Sequence, residues 1–194
     1  MDPVPTAQAS GQISADGQFR WDGQQWVPLA SGYREPTSWT RPMQLITAAL
    51  FAISAISGVV ITFAFVNHDS ILRTINAQGT QIPATTSIDT VVNITIGVTY
   101  GVAIFFALLY LVAALGSYIG WRWMFWAALV LFGLSGITVF TNIGSFVDPN
   151  RSPIPVAGLI ISELFAVLGL AMFVWMLVAV IKFGPWAMKK PGHH

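Results

Sequence analysis

The chain has 194 residues, of which 55% are hydrophobic and only 9% charged, against about 25% charged in an ordinary globular protein. Its net charge of +1 comes without a basic block that could neutralise a run of phosphates, which excludes nucleic acid as a partner. With no cysteine and three histidines, it lacks the residues for disulfide scaffolding, thiol catalysis or clustered metal ligation, and no cofactor or metal is expected.

Residues 1–41 form a polar arm rich in Gly, Gln, Pro, Ser and Asp. The arm has no apolar stretch like the core of a signal peptide, so the first membrane helix is expected to direct insertion. Within it, Asp16-Gly17 and Asp22-Gly23 bracket alternating aromatic and polar residues. Asp-Gly suits a tight hairpin because glycine accepts positive φ, and Phe19, Trp21 and Trp26 are placed to pack across two short strands. The alternative is an arm lying on the membrane with its tryptophans among the headgroups, since short strands alone are marginal. The hexapeptide Trp21-Asp22-Gly23-Gln24-Gln25-Trp26 resembles the Trp-Asp-Gly-x-x-Trp segment near the ends of many actinobacterial and related bacterial membrane proteins of unknown function. The resemblance covers 14–28 and implies a bacterial source and a docking or surface-binding arm.

The membrane domain is expected over 42–186. Residues 43–66 contain no charge, and such a run exceeds the roughly 20 residues a helix needs to span the hydrocarbon core. Residues 67–90 are polar and read as an exposed loop. The uncharged stretch that follows holds a second span over 91–115 and a short turn over 116–120. The third span is expected over 123–147, closed by the turn-rich loop 148–154, and the fourth over 155–181. A backbone in lipid must satisfy its amides internally, which demands helices, and the missing period-2 alternation disfavours a β-barrel. The fold class is therefore an all-α membrane protein, a bundle of four transmembrane helices. The tail 187–194 ends in His193-His194, which read as a tag remnant and are set aside.

Arg20, Arg34, Arg41, Arg122, Lys182, Lys189 and Lys190 flank one side of these spans, and Arg73 and Arg151 the other. Positive charge favours the cytoplasmic side, which places both termini inside a bacterial cytoplasmic membrane. Trp39, Trp121, Trp123, Trp126, Trp175 and Trp186 fall near that same interface and read as anchors for their amphipathic indoles.

Glu163 is the one ionisable residue well inside a span, about eight residues from its outer end, or roughly 12 Å at 1.5 Å per residue. A carboxyl there must be protonated, paired or wet. Asn93 and Thr99 of the second span and Thr138 and Asn142 of the third fall at comparable depth, so a polar cluster around Glu163 is expected. It acts either as structural glue or as a proton or cation site, and the apolar inner halves of the spans favour glue. Gly97-x-x-x-Gly101 and Ser54-x-x-x-Gly58 mark close helix contact, read mainly as packing within the bundle and secondarily as contact between copies. No phosphate loop, dinucleotide fingerprint, nucleophile elbow or metalloprotease motif is found. The functional expectation is a non-enzymatic assembly or accessory subunit, partnered by the lipid bilayer and by itself or other membrane subunits. The alternative is a proton- or cation-coupled channel or transporter subunit using Glu163.

Overall fold

The computed structural model describes residues 11–16, 18–28, 34–79, 86–141, 146–147 and 152–190. Five α-helices dominate: α1 (Thr40–Phe65), α2 (His68–Gln78), α3 (Ile88–Ile119), α4 (Arg122–Thr141) and α5 (Val156–Lys182). All but α2 are long and apolar enough to cross a membrane. The four expected spans are thus present as helices, with ends displaced by a few residues.

Two expectations about connections are corrected. The stretch 67–90 is not simply loop, because α2 occupies its first half. Asn67 starts that helix with a capping box: its side chain accepts from the Ser70 amide at 3.0 Å while its own amide donates to Ser70 Oγ at 2.9 Å. Both otherwise orphaned donors are satisfied, and Gly79, at φ 64°, closes the helix in the left-handed conformation. The turn expected over 116–120 is likewise helical up to Ile119. Only Gly120 leaves the helix, at φ 82°, where its amide and that of Trp121 return to the Gly116 carbonyl at 3.0 and 2.9 Å. A side chain is excluded there twice over, since a Cβ on Gly120 would overlap the Gln44 amide group. With 32 residues, α3 is about 48 Å long and overruns a hydrocarbon core of about 30 Å.

The long helices associate as two antiparallel pairs, α1 with α3 and α4 with α5, and these are the two most extensive contacts in the fold. In the first pair Phe63 stacks on Tyr100 at 4.3 Å, and the Tyr100 hydroxyl donates to the Val66 carbonyl at 2.7 Å. In the second, glycines set the approach: a Cβ on Gly169 would meet Ser135 Oγ at 2.9 Å, and one on Gly136 would meet Leu170 at 2.8 Å. The pairs join through one core that includes Met43, Phe51, Phe125, Phe132 and Met176, in which Phe51 and Phe132 stack at 4.8 Å. A smaller core of Val66, Ile71 and Val92 sits under α2 at the opposite end.

Both terminal segments meet at the end where α1 and α4 begin. Strand β3 (Glu35–Pro36) pairs antiparallel with β4 (Met188–Lys189). Beside it the Ala187 carbonyl accepts from Thr37 Oγ1 at 2.8 Å and Thr40 Oγ1 at 3.1 Å. The tail enters through a 3-10 turn, Pro185–Ala187, in which Trp186 and Ala187 both have positive φ, 57° and 53°. Such a conformation costs a non-glycine residue about 1–2 kcal/mol, and the burial of Trp186 offsets it.

The arm does contain a hairpin. β1 (Phe19–Trp21) pairs antiparallel with β2 (Trp26–Pro28), with Trp21 opposite Trp26 and their rings edge-on at 5.6 Å. Asp22 Oδ1 organises the connection by accepting the amides of Gln25 at 2.8 Å and Gln24 at 2.7 Å, an Asx turn that holds its carboxyl below the ordinary value. Asp16 is lowered in the same sense by Ser14 Oγ first and the Gln18 amide second.

Candidate functional site

The two helix pairs do not close on each other along their whole length, and a groove of about 400 Å³ is left between them. All four long helices contribute. α1 supplies Ser54, Ser57 and Gly58, α3 supplies Phe106 and Tyr110, α4 supplies Ser135 and Thr138, and α5 supplies Ser162 and Phe165. The stacked Phe51 and Phe132 form part of its lining where the pairs touch. Aromatic and aliphatic surface thus alternates with hydroxyls, several of which bond their own helices: Ser57 Oγ donates to the Ser54 carbonyl at 3.3 Å and Thr138 Oγ1 to the Ser135 carbonyl at 2.7 Å. Such back-bonding lets a hydroxyl sit in an apolar setting while its oxygen can still accept.

Of the polar cluster expected around Glu163, the members on α3 lie on a helix whose main partner is α1. Asn93 is exposed, and α3 carries it, with Thr99, on the helix pair that does not contain Glu163. Thr99 Oγ1 donates to the Thr95 carbonyl of its own helix at 2.7 Å. Thr138 does share a helix pair with Glu163 and lines the groove, whereas Asn142 lies outside the described residues. Glu163 itself is half-buried two turns into α5. Its neighbour Ser162 forms part of the groove wall, and Glu163 does not.

The small-residue motifs separate in the same way. Ser54 and Gly58 face the groove. Gly97 and Gly101 face outward, since a Cβ on either would have nothing within 4 Å, so the expectation that they pack inside the bundle is corrected. The spacing of a Gly-x-x-x-Gly pair fixes a common face but not what that face meets.

Among the tryptophans, Trp121, Trp123 and Trp126 are exposed together at the terminal end, as an anchor requires. Trp39 and Trp175 are half-buried against each other at 6.2 Å. Trp186 is corrected outright: at 1% exposure it cannot reach headgroups. Its ring meets Phe125 edge-on at 5.4 Å and its Nε1 donates to the Trp121 carbonyl at 2.8 Å, so it is a plug in the end of the protein.

Together the helices define the class: a helical membrane protein with four candidate spans and a hydroxyl-bearing groove between two helix pairs. Comparison of the chain with protein-family models, with curated proteins and with solved structures gives no significant match.

Proposed function

We propose that the chain is a non-enzymatic subunit of a bacterial cytoplasmic membrane assembly, a four-helix bundle with both termini in the cytoplasm, that acts by lateral association within the bilayer. The groove carries the reading. It leaves Ser54 and Gly58, with the hydroxyls of Ser57, Ser135 and Thr138, at a position that none of the described helices fills, and small residues with hydroxyl acceptors are what helix association in lipid uses. Only 17% to 33% of each apolar window is buried within the chain, so most of the lateral surface is left for lipid or for other subunits. The sidedness rests on Arg34, Arg41, Arg122, Lys182, Lys189 and Lys190, which flank the helix ends where the termini meet.

The test is association of the full-length chain in liposomes, read by energy transfer between two labelled pools and by the subunits that co-purify with it. Filling the groove by Ser54→Leu with Gly58→Leu should lower association at least several-fold while the helical content is kept. Association unaffected by that pair would remove the groove from the mechanism.

A second reading is favoured by one observation, the half-buried carboxyl of Glu163 beside the groove-lining Ser162. There the chain conducts or couples protons or cations. Glu163→Gln in proteoliposomes should then abolish an ion-driven pH change, and flux equal to that of the parent chain would dismiss this alternative.

A further inference from the structure

At the end that holds both termini lies a second, smaller space of about 190 Å³, walled by Arg34, Gly120, Arg122, Pro185, Trp186 and Met188. Its walls are fixed by contacts already described: Gly120 is the left-handed cap of α3 and Trp186 is wedged against Phe125. Arg34 is positioned by a hydrogen bond from its guanidinium to the Met188 carbonyl at 3.3 Å, which leaves most of its five N–H donors for another acceptor. Arg122 is the first residue of α4. Among the described residues the ion pairs are those of His68, so neither guanidinium faces a carboxylate.

Two unneutralised guanidiniums on one small space repel each other, and Arg122 also stands at the positive end of the α4 dipole, where a cation is disfavoured. An anion between them relieves both effects. A tetrahedral phosphate suits the forked donors of arginine better than a point charge would.

Arg122 has a further role, since it also lines a wider recess floored by the exposed rings of Trp121, Trp123 and Trp126. Arg122 is therefore shared between the cationic space and an indole surface where an apolar helix begins. A soluble phosphate would use only the first part. A phospholipid would use both, with its phosphate on the arginines and its glycerol and upper acyl carbons over the indoles.

We propose that Arg34 and Arg122 hold the phosphodiester of an anionic phospholipid, with Trp121, Trp123 and Trp126 receiving the adjoining part of the same molecule. The site is independent of the groove between the helix pairs and of what associates there.

The experiment uses the full chain, delipidated in mild detergent and titrated with phosphatidylglycerol or phosphatidylcholine, with bound lipid counted by native mass spectrometry. Tryptophan quenching by brominated forms of the two lipids in vesicles gives a second readout. Phosphatidylglycerol should be preferred at least about fivefold, and Arg34→Gln and Arg122→Gln should each reduce its binding about fivefold, as expected for loss of one charge contact at a lipid surface. Arg73→Gln, on α2 at the far end, should leave binding unchanged. Equal binding of the two lipids overturns the proposal, and this comparison needs no variant to fold. Undiminished preference in both folded arginine variants overturns the location. Displacement of the lipid by millimolar inorganic phosphate would assign the space to a soluble anion instead.

Discussion

Replacing Trp186 with alanine should loosen the terminal end without dissolving the helices. The indole is 1% exposed, touches Phe125 edge-on at 5.4 Å and donates one hydrogen bond of 2.8 Å to the Trp121 carbonyl. Truncating a buried tryptophan to alanine costs roughly 3–5 kcal/mol, a range that already includes the lost ring contact. The hydrogen bond accounts for about 1 kcal/mol of it. Trp186→Phe keeps most of the burial and should cost about 1–2 kcal/mol by losing that bond and part of the ring. The assay is unfolding of the purified chain in micelles of rising SDS fraction, followed by far-UV circular dichroism. Limited trypsin digestion at Lys189, the last residue of β4, reports the tail directly, since Lys190 precedes a proline and is not cut. In the parent chain β4 pairing should protect Lys189, and in Trp186→Ala cleavage should come first, ahead of any loss of helix. A change below about 0.5 kcal/mol, the size of an ordinary surface substitution, together with unaltered cleavage, would refute the plug and return Trp186 to the headgroups.

Other outcomes follow from the same contacts. Gly169→Leu should destabilise the α4–α5 pair by about 1–3 kcal/mol, because its Cβ already meets Ser135 Oγ at 2.9 Å. Gly97→Leu, with open space around it, should leave the thermal melt of the monomer in detergent within about 0.5 kcal/mol. In the arm, the Asp22 carboxyl is held below its ordinary value of 3.8 by the Gln25 and Gln24 amides. A depressed carboxylate contributes stability that is fully present above 3.8 and is lost as pH falls through the folded value. The near-UV signal of the Trp21–Trp26 pair should accordingly hold at neutral pH and weaken in acid below that point. Asp22→Asn, which cannot titrate, should remove this group's share of the pH dependence, and an identical acid transition in the variant would assign the effect elsewhere.

The long helices were legible because a bilayer imposes one coarse rule, a charge-free run of sufficient length, and residues 43–66 or 155–181 satisfy it without reference to any neighbour. The Trp21–Trp26 hairpin was legible for a comparable local reason, the Asp-Gly turn between aromatic residues. α2 was missed although its signals were present: Asn67 and Ser70 at capping-box spacing, Ile71 and Ile75 one turn apart, and Gly79 as a stop. Polarity by itself does not distinguish an exposed helix from a loop. The turn at 116–120 failed because two glycines stood there and only Gly120 needs positive φ, while Gly116 packs against Met124 within the helix.

Which side chains share a site was much less readable. Asn93 and Glu163 were matched for depth along the membrane normal, but depth does not say which helices adjoin, and α3 chose α1 as its main partner. Trp186 was placed by its distance from the last span, whereas its position depends on a carbonyl 65 residues away in sequence. Gly136 and Gly169 turned out to set an internal helix approach, and Gly97 and Gly101 did not. Each is a glycine inside an apolar helix, and only the neighbouring helix distinguishes them.

The pairing of the two terminal segments also governs how the molecule can deform. The α1–α3 pair and the α4–α5 pair are joined covalently only through Gly120-Trp121, and the tail's hydrogen bonds to Thr37, Thr40 and Trp121 lie at the same end. The remaining inter-helix connections run within a pair. The tie between the pairs is thus concentrated at the terminal end, in the Trp186 plug and the β3–β4 pairing, while toward the other end the pairs meet, among the described residues, through apolar contact. A subunit or lipid entering the groove would work against apolar contact such as that of Ile61 beside Gly158, and would leave the hydrogen bonds at the terminal end unbroken.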